Sequence, residues 1–96
     1  MNFHDLSLKL EFKAREVLGY TSRPYDKIFD ADSIECGRFA EVLIILLRIK
    51  SNYMCNNLID IFIEKSKPYL NQSGSALDLC IAHELYNEFS EILSSL

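Results

Sequence analysis

Residues 42–47 read Val-Leu-Ile-Ile-Leu-Leu, and no rotation of a helix or strand gives that run a polar face. With Phe39 before it and Ile49 after it, the segment is apolar almost all round, which calls for neighbours on several sides. Everything else in a 96-residue chain has to be arranged to cover it. A chain of this length has room for one hydrophobic core, so the expected organisation is a single domain over residues 1–96. The run is far short of the roughly 20 residues that span a bilayer. The charged, amphipathic start (MNFHDLSLKLEFK) does not read as a secretory leader. The expectation is a cytoplasmic chain without membrane association.

Periodicity decides between helix and strand on either side of that run. From Ile34 to about Lys50 the β-branched content admits a buried strand, but a lone strand has no partner in this chain, so a central helix is expected. At the start, Leu6, Leu8, Leu10 and Phe12 alternate with polar residues as a half-buried strand would. Phe3, Leu6, Leu10, Ala14 and Val17 also fall at helical spacings, and the intervening residues are good helix formers. That spacing predicts a helix over 3–18, capped by Asn2 or Asp5, ended by Gly19, and supported by a Glu11–Arg15 pair at i,i+4.

Residues 19–33 are the least regular, and a short helix is expected there, capped by Ser22, with Pro24 in its first turn and Tyr25, Ile28 and Phe29 along it. Asp30, Asp32 and Ser33 supply further stop and start signals. The polar stretch 51–57 predicts a break, followed by a helix through Leu58, Ile59, Ile61, Phe62 and Ile63 to Lys65, which Pro68 prevents from continuing. Ser75 with Asp78 reads as a variant capping box for a last helix reaching about Ser94, with Leu77, Ile81, Leu85, Phe89 and Ile92 along one stripe. The predicted fold is all-α: a compact bundle or array of about four main helices plus one short helix.

Motifs for catalysis or metal binding are not visible. Gly19, Gly37 and Gly74 are isolated, so there is no phosphate-cradling loop. His83-Glu84 lacks the second histidine of a zinc-protease helix, since Asn87 stands in its place, and His4 is the only other histidine. Asp30-Ala-Asp32 has the opening of a calcium loop, but Ile34 occupies the next ligand position, and helix capping explains those residues better. His83 lies beside the apolar stripe of the last helix. It reads as a boundary histidine with one ordinary hydrogen bond, against the alternative of a general base held by a carboxylate. Cys36, Cys55 and Cys80 are odd in number and widely spaced, which argues against a disulfide framework or a structural zinc site, and their apolar neighbours suggest small core residues, against the alternative of a reactive or partner-linked thiol. No cofactor or metal is expected, and no enzymatic activity.

Charge is more informative. The net charge of −4 argues against binding nucleic acid directly, and against attraction to anionic lipid. After Lys67 the chain has no Lys or Arg, yet Glu84, Glu88 and Glu91 fall at i, i+4 and i+7 on one face of the last helix, away from Ile81, Leu85 and Ile92. A second acidic group, Asp26, Asp30, Asp32 and Glu35, follows the first helix, and tyrosines accompany both groups: Tyr25 beside Asp26, and Tyr86 between Glu84 and Glu88. The simplest reading is a solvated helix face and acidic caps. The sharper one is a negative, tyrosine-bearing surface that docks on a basic cleft, with carboxylates steering association and tyrosines as anchors.

In size, acidity and helical content the chain resembles the helical immunity proteins of bacterial colicin and contact-dependent inhibition systems. The resemblance covers no motif, and no functional residue is carried over from it. It implies an inhibitor, an immunity protein or antitoxin, whose partner is a basic toxin domain such as a nuclease. The alternative is a phage-encoded or regulatory helical adaptor, a homodimer in one form, using apolar surface of the 39–49 helix left uncovered by a small bundle. A third reading, an enzyme built around His83 and neighbouring carboxylates, requires that histidine in a concave site.

Overall fold

The computed structural model describes residues 2–19, 27–74 and 76–96, and among them every regular element is helical. Four helices of ten residues or more form the body: α1 (Phe3–Val17), α3 (Phe39–Lys50), α4 (Asn57–Ser66) and α5 (Leu79–Ser95). Between α1 and α3 lie a 3-10 turn (Lys27–Phe29), one turn of helix, α2 (Ala31–Ser33), and a wide π-type turn over Ile34–Arg38. A 3-10 turn, Lys67–Tyr69, extends α4. The all-α class is as the sequence predicts. The proposed cap Ser22, Pro24 and Tyr25 of the short helix lie outside the described residues.

Helix α3 is the hub. Phe39, Val42, Leu43, Leu46 and Leu47 are fully buried and Ile44 nearly so, with α1 packed on one side and α4 and α5 on the others. Most of its apolar surface is thereby covered by the chain itself, with Ile45 and Ile49 only partly buried. Phe3 of α1 meets the Phe39 ring at 5.4 Å between centroids, and Phe62 of α4 and Phe89 of α5 are both fully buried in the same core. On α1, Leu6, Leu10 and Ala14 are buried while Leu8 and Phe12 are exposed, so the helical period wins over the alternating one.

Helix ends are made by the side chains that the capping rules anticipate. Asn2 accepts from the Asp5 amide at 2.8 Å, and Asn56 accepts from the Leu58 and Ile59 amides. Asp78 itself caps α5, accepting from the Cys80 and Ile81 amides, so the helix begins at Leu79, and Leu77 is buried in the turn ahead of it. The capping-box reading had started that helix about one turn too early, and its other member, Ser75, lies outside the described residues. Helix α3 ends in a Schellman motif: the Asn52 amide donates to Ile49 O and the Tyr53 amide to Arg48 O, with Asn52 left-handed at φ 56°.

The expected continuous helix from Ile34 to Lys50 is broken at Gly37. Its φ of 128° is closed to an L side chain, so the chain turns there and α3 starts only at Phe39. Gly74 serves a different need: a Cβ there would sit 2.8 Å from the Phe3 ring, and the Gly74 amide donates to Glu35 O at 2.9 Å, which closes the 71–74 loop onto α1 and the wide turn. The cysteines are not core residues: Cys36, Cys55 and Cys80 are all exposed. Cys36 lies in the wide turn, Cys55 in the extended link before α4, and Cys80 in the first turn of α5 outside its buried stripe, so apolar neighbours in sequence do not place them inside.

Phe62→Ala is expected to destabilise the fold by about 3–5 kcal/mol, the usual cost of emptying a buried aromatic site. Phe12→Ala, at a position 65 % exposed, should stay within about 0.5 kcal/mol of the parent. Urea unfolding of the two variants side by side checks both expectations.

Candidate functional site

Helix α5 carries the acidic face. Its buried stripe is Ala82, Leu85, Tyr86, Phe89 and Ile92, and this leaves Glu84 and Glu91 exposed on the outer side. Neither is in an ion pair among the described residues. Glu88, between them, is partly buried and accepts from Lys65 Nζ at 2.8 Å, an ion pair that ties α4 to α5. Hydrogen bonding to Glu88 raises the Lys65 ammonium above its usual range, its charge adds to this, and Glu84 contributes from further off. The middle of the acidic stripe is thus answered by a cation from the neighbouring helix, which the search for an intrahelical lysine could not find.

Tyr86 is not the surface anchor that its place between two glutamates suggested. It is only 4 % exposed, packs on Phe89 with ring centroids 5.7 Å apart, and is covered by the Lys9 ammonium, 5.0 Å from the ring centre. Burial pushes its phenol above the ordinary tyrosine range, opposed by the Lys13 charge and by hydrogen bonding with Ser90. The signal was present: Tyr86 stands next to Leu85 and three residues before Phe89, a core phase on a 3.6-residue period.

The second acidic group is partly engaged in local structure. Tyr25 and Asp26 lie outside the described residues. Asp30 caps α2, accepting from the Ser33 amide at 2.8 Å, so its oxygen is engaged in local structure. Glu35 is 2.8 Å from His4 Nδ1, across the junction of α1 and the wide turn. Only Asp32 is exposed and outside any ion pair among the described residues. The α2 segment and the wide turn pack on α1 and α3, whereas α5 packs on α3, α4 and α1. Among the seven of these nine residues that the structure describes, Asp32, Glu84 and Glu91 are exposed acids outside any ion pair with another described residue.

Two further features were not anticipated. Glu11, besides pairing with Arg15 at 2.7 Å as predicted, accepts from the Ala31 amide at 3.0 Å and so anchors α2 to α1. The groove between α1 and α5 is lined by Lys9, Phe12, Lys13 and Glu16 on one wall and Tyr86, Asn87 and Ser90 on the other, so α5 has cations along its α1 side as well as Lys65 on its α4 side. His83 is half-buried and makes no hydrogen bond or ion pair among the described residues. Among those residues no group of three or more His, Cys, Asp and Glu is placed to hold a metal ion, and no helix is long and apolar enough to cross a membrane.

Compared with known proteins, the chain matches no family model, no curated protein and no solved structure.

Hydrogen bonding to Glu35, and then its charge, raises the His4 imidazole above the ordinary histidine value of 6.5, with smaller contributions from Asp5 and Asp32. A raised folded-state value makes the pair stabilising below the unfolded-state pKa, with that contribution lost as pH rises through the higher folded value. An NMR titration should therefore find His4 above 6.5, and Glu35→Gln should move its midpoint down.

Proposed function

We propose that this chain is a small protein-binding inhibitor, an immunity protein or antitoxin that neutralises a bacterial toxin by covering a basic site on it, a nuclease domain being the favoured target. The observation that carries the reading is the exposed charge of Glu84 and Glu91, outside any ion pair among the described residues, on one outward face of α5, in a stretch with no Lys or Arg after Lys67. A rigid helix holds the two carboxylates in fixed relation, so less ordering is required when they meet a partner. Exposed carboxylates outside any close ion pair with another described residue are poised to be answered by cations of a partner, and long-range attraction to a positive cleft raises the association rate. A cleft that accommodates nucleic-acid phosphates has the complementary sign.

The docking face differs from the one the sequence suggested. In this reading Glu84 and Glu91 are its centre, and the buried Tyr86 supports α5 from beneath rather than meeting the partner. Glu88 is a poor test position, because reversing it would leave Lys65 facing a like charge.

The test is retrieval of a partner from native lysate by the tagged protein and by its Glu84→Lys/Glu91→Lys double variant, at low and high salt. The reading expects a basic protein held stoichiometrically by the parent, weakened by salt, and bound by the double variant with an association rate lower by about tenfold or more. Equal binding of parent and double variant, indifferent to salt, would contradict it.

A further inference from the structure

Leu58 and Ile61 are the branched aliphatic side chains most open to water among the described residues, 51 % and 60 % exposed. With Lys65 they stand at i, i+3 and i+7 on one side of α4, outside the buried stripe of Ile59, Phe62 and Ser66. Lys65 reaches Glu88 at 2.8 Å, so this side of α4 borders the acidic row of α5, Glu84, Glu88 and Glu91. The order along the border follows from the helix directions. Helix α4 runs against α3, since Ile59 shares a hollow with Arg48 while Lys67 and Leu70 share one with Glu41 and Ile44. Helix α3 runs with α5, their last turns meeting at Lys50, Leu93 and Ser94. Helix α4 therefore runs against α5: Ile61, one turn before Lys65, lies toward Glu91, and Glu84 lies toward Tyr69. The influence of both Glu84 and Tyr69 on the Lys65 ammonium agrees with that order. Apolar side chains and carboxylates thus share one face across the two helices.

We propose that this α4–α5 face receives a basic amphipathic segment of a protein partner, with its apolar side chains on Leu58 and Ile61 and its cations on Glu84 and Glu91. The proposal rests on the reading of α5 as a docking face and adds what the partner has to present to it. Charge complementarity selects the occupant. The acidic row repels anionic lipid and nucleic-acid phosphate. It also disfavours a second copy, which at net charge −4 would bring the same carboxylates to the contact. The fold already contains one instance of the contact: Lys65 lies along the side that holds Leu58 and Ile61 and delivers its ammonium to the middle carboxylate of the row. A lysine or arginine of the partner, approaching from the same side, lays its apolar stem over Ile61 while its charge reaches Glu91. Apolar contact at Leu58 and Ile61 excludes water beside the carboxylates, which strengthens the ion pairs formed there. Carboxylates alone accept any cation, so the aliphatic pair supplies the discrimination that charge cannot.

The experiment uses two synthetic peptides of identical length and identical leucine, lysine, arginine and alanine content, one with its leucines on a single helical face and one with them scattered. Calorimetry and amide NMR shifts follow their titration into the full chain, into Leu58→Ser/Ile61→Ser and into Glu84→Gln/Glu91→Gln, each checked for helical content. The parent is expected to bind the one-faced peptide about tenfold or more tightly than the scattered one, with shifts concentrated on 58–65 and 84–91. The α4 double variant should lose that preference and keep the salt dependence. The α5 double variant should bind both peptides more weakly, with a flatter salt dependence. No binding, equal binding of the two peptides by the parent, or a preference that survives in the α4 double variant overturns the proposal. Where the α5 substitutions still weaken binding, the α5 reading stands; binding indifferent to them overturns both. Sedimentation of the chain without peptide completes the test, since a dimer abolished by the α4 substitutions assigns the face to a second copy and overturns the proposal.

Discussion

The structure depends on the burial of one helix that is apolar on nearly every side, with Glu41 and Arg48 marking its outer edge. From Phe39 to Leu47, α3 places seven residues in the interior, and the other three long helices are arranged around it. Burial of each large aliphatic side chain contributes on the order of 1.5–3 kcal/mol, far more than any exposed ion pair here. The surface pairs, Lys13–Glu16, Arg38–Glu41, Lys67–Glu64 and even the interhelical Lys65–Glu88, refine an arrangement that apolar burial has already chosen. The polar groups that do go inside are satisfied locally: the buried Ser7 and Ser66 hydroxyls donate to the carbonyls of Phe3 and Phe62, one turn back. No buried side-chain polar atom among the described residues is left without a partner.

The same hierarchy determines what the surface offers. Once α5 must turn Leu85, Tyr86 and Phe89 inward, its phase is fixed, and Glu84 and Glu91 are carried outward with no freedom to do otherwise. Helix α4 has fewer residues turned inward, and its short amphipathic stretch spends Ile59 and Phe62 on the core while Leu58 and Ile61 remain outside. The two helices present different outer faces because they divide their residues differently: α5 shows carboxylates, while α4 shows Leu58 and Ile61.

Much of the fold was legible in the sequence because it follows from periodicity and capping chemistry. The span of α1, its Asn2 cap, the break before α4 and the all-helical class were all readable from spacing and residue type. The interruption at Gly37 was not, because an isolated glycine has the same appearance whether its φ is helical or 128°. The start of α5 was misplaced because Asp78 serves equally well as cap or third residue, and only the amides it accepts from decide which. The site was harder to read than the fold. Whether an acidic residue is free or paired depends on tertiary neighbours such as Lys65 for Glu88 and His4 for Glu35, at sequence separations of 23 and 31. Tyr86 was the avoidable error, since its helical phase already assigned it to the core.

The central claim is that the outward face of α5 meets another protein of opposite charge. A photo-reactive amino acid placed at position 84 or 91, activated in the native cell, tests this directly by recording what lies against that face. The account predicts a crosslink from both positions to one basic protein that is not the chain itself. Crosslinks to a second copy of the chain alone, or none from either position, would contradict it and return Glu84 and Glu91 to the role of a solvated helix face.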